Sequence, residues 1–142
     1  MSKGRVIVVE QELLKSKAWF SLSGAAPAMY TLFLTKRRYE KAGTRNNKQK
    51  VLVNGREITF YYREAQKNYG ITQSRFTRAI DQLVDRGFID IVEPGNGTAR
   101  IGTKYGISER WRKYGTPEFV VHRREPVKRG FCKTHDQHKN SM

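Results

Sequence analysis

Apolar residues fall at helical spacing most clearly between residues 73 and 86. Phe76, Ala79, Ile80 and Leu83 follow an i, i+3, i+4, i+7 pattern, with Val84 beside them, and predict one amphipathic helix. Thr72 is placed to cap its N-terminus, Arg86 falls in its last turn, and Gly87 stands where a left-handed residue ends a helix. Residues 62–69 predict a shorter helix just before it, with Ala65 and Tyr69 packing on the longer one. Gly70 supplies the turn between them and Ile71 fills the gap. The outward side of the longer helix carries Gln73, Ser74, Arg75, Thr77 and Arg78 near its start, and acidic Asp81 and Asp85 only later.

The rest of the chain arranges itself around this pair. Val6 to Val9 reads as a short strand or extended arm, and Gln11 to Phe20 as one short helix packing through Leu13, Leu14, Ala18 and Trp19. Ser23 is expected to cap a third helix that has Pro27 in its first turn. Its run AAPAMYTLFLTKRRYEKA is apolar nearly all round through Met29, Tyr30, Leu32, Phe33 and Leu34, which predicts a central core helix ending in cations. Residues 43–50 are polar and basic, and predict a loop. The Asn54-Gly55 pair between VLV and REITF predicts a tight hairpin turn, because both residues tolerate positive φ. After Gly87 the period changes: FIDIVE alternates, Pro94-Gly95-Asn96-Gly97 turns the chain, and ARIGTKYGIS returns it as a second hairpin. Ser108 is then placed to cap a short helix bearing Trp111 and Tyr114, stopped by Gly115 and Pro117, with Trp111 expected to pack in the core rather than stack on bases. Beyond residue 121 the chain is polar and charged without periodicity, and is expected to be a basic, flexible tail.

Composition narrows the partners more than the fold. With 142 residues the chain suits one main domain. The division expected is an N-terminal extension over 1–22, a domain over 23–120 and the tail over 121–142. Lys and Arg number 28 against 13 Asp and Glu, a net charge of +15, which favours a polyanion: nucleic acid first, an anionic membrane surface second. The single cysteine, Cys132, excludes an intramolecular disulfide and fits a reducing, cytoplasmic setting. No apolar run approaches the roughly 20 residues of a membrane span, and Val6 to Val9 is too short for a signal-peptide core. A membrane partner is therefore not expected.

Helix, glycine turn and second helix are the parts of a helix-turn-helix, in which the second helix is held where a DNA major groove can receive it. Arg and Gln forks read base edges there, while Ser, Thr and Lys meet phosphates. Gln73 and Arg75 are thus the base-reading candidates, with Thr72, Ser74, Thr77 and Arg78 reading bases or holding the backbone. Residues 60–110 resemble the winged helix-turn-helix domains of small bacterial, plasmid and phage proteins: helix, tight Gly turn, recognition helix ending RGFIDI, Gly-rich wing, return strand. Residues 23–41 match less specifically as the first helix. The resemblance implies an α+β winged helix-turn-helix with a three-helix core, a β-hairpin wing, an extra N-terminal helix and a basic tail. It also implies double-stranded DNA as partner and a nucleoid-associated place in the cytoplasm. Helix 72–86 would enter the major groove, and wing 94–104 would lie on the backbone or in the minor groove.

In the wing, Asn96, Thr98, Arg100 and Lys104 are the candidate contacts, with Arg100 and Lys104 able to share one face. Arg110, Arg112 and Lys113 either extend a phosphate track or solubilise the segment around Trp111. Two basic flanks, residues 36–50 with Arg45, Lys48 and Lys50, and residues 122–139, are candidates for backbone contacts that release counterions. Cys132, His135 and His138 lack the fourth ligand of a structural zinc site, so no metal or other cofactor is expected. No catalytic constellation, phosphate-binding loop or nucleophile with a base stands out, so the chain reads as a binding protein, not an enzyme. Transcriptional regulation is the expected role, with plasmid or phage replication control as the alternative. From other classes stand an RNA- or ribosome-associated basic protein and a protein-interaction module. The apolar residues Val6 to Val9, Leu13 and Leu14 either form a homodimer contact or complete the core.

Overall fold

The computed structural model of the chain describes residues 4–95 and 102–122. It is a mixed α+β fold. In chain order the described elements are α1 (Gln11–Leu14), α2 (Lys17–Phe20), α3 (Ala26–Thr35), β1 (Tyr39–Thr44), β2 (Asn47–Leu52), α4 (Tyr62–Tyr69), α5 (Gln73–Asp85), β3 (Ile89–Glu93), β4 (Lys104–Ile107) and a 3-10 turn (Arg110–Lys113). The strands form two separate antiparallel pairs, β1 with β2 and β3 with β4.

The core is built where α3 crosses α5 and where the chain leaves α5. Met29, Phe33, Ile80, Leu83, Phe88, Ile89 and Ile58 are all less than 2% exposed. Phe88 lies at its centre. Its ring is 5.1 Å from Tyr30, 5.9 Å from Trp19 in an edge-on contact, and 6.2 Å from Trp111 in a stacked one. The neighbouring Gly87 has φ +89, and a Cβ there would come within 2.6 Å of the Trp111 backbone nitrogen. Only glycine fits this exit from α5, since both the left-handed backbone and the contact exclude a side chain.

The α4–α5 pair forms much as the sequence predicts. Gly70 caps α4 in the left-handed conformation with φ 67, and the Thr72 hydroxyl accepts from the Arg75 N–H at 3.4 Å to cap α5. Ala65 and Ile71 are buried, as expected. Tyr69 is 48% exposed and does not pack into the helix pair; Tyr62 does instead, through the Phe76 ring at 6.0 Å.

Several expectations are corrected. Residues 11–20 form two one-turn helices, because the Ser16 hydroxyl donates to the Leu13 carbonyl and accepts from the Trp19 N–H, ending one turn and starting the next. Leu13 and Ala18 are buried while Leu14 and Phe20 are exposed. The extension at 1–22 thus completes the core through Leu13, Ala18 and the half-buried Trp19. Ser23 does not cap α3, whose N-cap is Ala25; the Ser23 hydroxyl instead accepts from the Gln82 side-chain amide at 3.1 Å, tying α3's start to α5.

The third helix also stops earlier than expected, at Thr35, and its cations lie beyond it. Residues 39–50, expected to be helix end and loop, form the β1–β2 hairpin together with Val51 and Leu52, which are expected to be strand. Its turn is Arg45-Asn46, not Asn54-Gly55. Asn54 is 7% exposed and clamps the hairpin's neck: its Oδ1 accepts from the Arg38 N–H at 2.6 Å and its Nδ2 donates to the Lys36 carbonyl at 2.9 Å. Residues 55–58 run alongside β4, with Ile58 and Tyr105 exchanging both backbone bonds at 2.9 and 2.7 Å.

Candidate nucleic-acid interface

Helix α5 owes its orientation to one buried stripe. Ala79, Ile80, Leu83 and Val84 face the core, which turns Gln73, Ser74, Arg75 and Arg78 to solvent. Thr77 is half-buried, which corrects its placement on the outward face. Arg75 and Arg78, three apart, are surface neighbours, and Ser74 lies one turn before Arg78. Arg63 and Lys67 on α4 are exposed, one turn apart and opposite the buried Ala65. Sequence reasoning missed these two, although their i, i+4 spacing opposite an alanine marks a cationic face. None of Arg63, Lys67, Arg75 and Arg78 has a side-chain hydrogen bond or ion pair among the described residues.

The cations on the β3–β4 side behave in the opposite way. Lys104 stands opposite Glu93 across the strand pair and bridges to it at 3.5 Å. Arg112 takes Glu10 and Glu12 of the N-terminal segment and Glu109, at 2.7, 3.0 and 3.0 Å, with its guanidinium 4.5 Å from the Trp111 ring centre. Lys113 bridges to Glu118 at 3.1 Å. Arg110 donates to Asp90 at 2.8 Å and to the carbonyls of Val84, Ile89 and Val120. Arg110, Arg112 and Lys113 are thus engaged within the chain. These side chains hold the C-terminal segment to α5, β3 and the N-terminus. Asn96, Thr98 and Arg100, the side chains of Lys48 and Lys50, and Cys132, His135 and His138 lie outside the described residues. Arg45 is exposed at the β1–β2 turn.

Asp90 is the anchor of this neutralised side. Burial alone would push its carboxyl up, but hydrogen bonds and charge from Arg110 and Arg56 outweigh burial and hold it below the ordinary value of 3.8. A carboxylate with a depressed folded pKa stabilises the fold above its unfolded value near 4, and that contribution is lost as pH falls through the folded value. Urea midpoints should therefore fall as pH drops below about 4. In Asp90→Asn this part of the acid decline should flatten, at the cost of lower stability at neutral pH. An unchanged acid slope in the variant would refute the assignment.

Among the described residues no helix is long and apolar enough to cross a membrane, and no group of three or more His, Cys, Asp or Glu side chains is placed to hold a metal ion. Compared with known proteins, the chain matches no protein-family model, no curated protein and no solved structure.

Proposed function

We propose that this protein binds double-stranded DNA as a winged helix-turn-helix, with α5 entering the major groove. The observation that carries the reading is the uneven neutralisation of its cations. Those of the β3–β4 side are matched by carboxylates, while Arg63, Lys67, Arg75 and Arg78 on α4 and α5 are exposed and unmatched among the described residues. An unmatched cationic face is what a polyanion neutralises, with release of its counterions. The N-terminus of α5 adds the positive end of its dipole to the same region. Arg75 and Gln73 have the fork geometry to read guanine and adenine edges, and Ser74, Thr72 and Arg78 are suited to phosphates. A helix pair joined at a left-handed glycine, followed at once by an antiparallel strand pair, supports the winged assignment.

If the α5 face selects a sequence, transcriptional regulation is the role it serves. The test is the affinity of the full chain for duplex DNA against structured RNA at matched salt. Tighter binding to duplex DNA, with affinity falling steeply as salt rises, is expected. Tighter RNA binding would assign the same face to an RNA partner and overturn the proposal.

A further inference from the structure

We propose that the β1–β2 hairpin is a second duplex-DNA arm, which grips phosphates beside the segment that α5 reads. The inference rests on the DNA-binding reading of α5. No described side chain of the hairpin lies in the core: Tyr39, Glu40, Lys41, Arg45 and Leu52 are all exposed. A two-stranded ribbon is marginally stable alone. Burial of its described side chains therefore does not explain why it is kept.

Its charge does point to a partner. Residues 39–52 hold four cations, Lys41, Arg45, Lys48 and Lys50, against one acid, Glu40. The register sets Lys41 opposite Lys50, with Gly43 opposite Lys48 next to them. Like charges directly opposite destabilise a strand pair, unless a polyanion lies across them. The β3–β4 pair shows the contrast, since there the register sets Lys104 opposite Glu93. Lys104 of β4 is thus matched across its strand pair, whereas Lys41 of β1 stands opposite another lysine.

The neck fixes where the arm starts. Asn54 clamps it to the backbone at residues 36 and 38. Lys36 pairs with Glu64 in the first turn of α4 and lies 4.8 Å from the Phe60 ring centre. The arm therefore springs from beside the helix pair that presents Arg75 and Arg78. Strands of six residues reach about 20 Å, against a major groove about 12 Å wide. That is enough to meet phosphates beyond the groove that α5 occupies.

The test is a salt titration of duplex binding by the full chain and by a variant with Lys41→Gln, Arg45→Gln, Lys48→Gln and Lys50→Gln. The log–log salt slope should fall by about three to four, at about 0.9 per phosphate lost. Affinity near 0.1 M salt should fall about 100-fold, alike on selected and unrelated duplexes, with the melting temperature not lowered. Should the fourfold variant fail to fold, Arg45→Glu at the turn, which perturbs no strand pair, should still lower affinity about tenfold. Unchanged slope and affinity, while Arg75→Ala with Arg78→Ala lowers affinity about 100-fold, would overturn the arm alone; its lysines would then only protect the ribbon's edges from pairing. Absence of salt-sensitive duplex binding by the full chain would overturn the α5 reading and the arm with it.

Discussion

Replacing Arg75 and Arg78 together by alanine should lower affinity for a selected DNA duplex about 100-fold and leave the fold intact. Both side chains are exposed and make no hydrogen bond or ion pair among the described residues. Alanine is also the best helix former, so α5 itself should lose nothing. The cap is untouched, because Thr72 accepts from the backbone N–H of residue 75 and not from its side chain. What is lost is intermolecular: two charges facing phosphates or guanine edges, each contact commonly worth a tenfold change or more. The log–log salt slope should fall by about two if both meet phosphates. Binding data will also separate the two roles. Loss confined to the selected sequence marks a base contact, whereas equal loss on all duplexes marks a phosphate contact. A double variant that binds as the parent does would remove α5 from the interface.

Phe88→Ala should cost about 3 to 5 kcal/mol of stability, the usual range for an aromatic residue deleted from a close-packed core. The ring is fully buried, and its neighbours Trp19, Tyr30 and Trp111 come from three different parts of the chain. Trp19 belongs to the N-terminal extension and Trp111 to the 3-10 turn, so no local rearrangement can close the void. Against a typical total of 5 to 15 kcal/mol, the loss should lower the melting temperature by roughly 10 °C or more. Trp19 and Trp111 are the chain's only two tryptophans. Tryptophan fluorescence and near-UV dichroism therefore report on this cluster directly. Phe88→Leu, which keeps most of the volume, should lose far less. A native melting temperature for Phe88→Ala would show that the cluster does not hold the domain together. The cluster also matters for binding, because Gly87 and Phe88 fix the direction in which the chain leaves α5.

The helix pair was legible in the sequence because every signal for it is local. The apolar stripe, the Thr72 cap and the glycines at 70 and 87 all lie within the segment they shape. The β1–β2 hairpin was not legible for the converse reason. None of its described side chains is buried and no apolar alternation marks it; its positive-φ glycine, Gly43 with φ 106, lies in β1 and not at the Arg45-Asn46 turn. The Asn54-Gly55 pair misled because Asn54 serves through its side chain, holding the backbone at residues 36 and 38. Nor does a sequence pair charges across long separations. Arg112 meets Glu10 about a hundred residues away, so cations that looked free for phosphates proved to be internal ties. The same blindness hid the cationic face of Arg63 and Lys67, which stands out only once the cations of the β3–β4 side are seen to be matched.

Binding of duplex DNA by the exposed cations of α4 and α5 is open to one direct measurement. The most direct measurement titrates one preparation of the full chain with a DNA duplex and with a structured RNA of equal length, over the same salt series. Tighter binding to the duplex is expected at every salt concentration, with a duplex slope that Arg75→Ala with Arg78→Ala makes shallower by about two. Tighter binding to the RNA, or a duplex slope indifferent to both arginines, would contradict it.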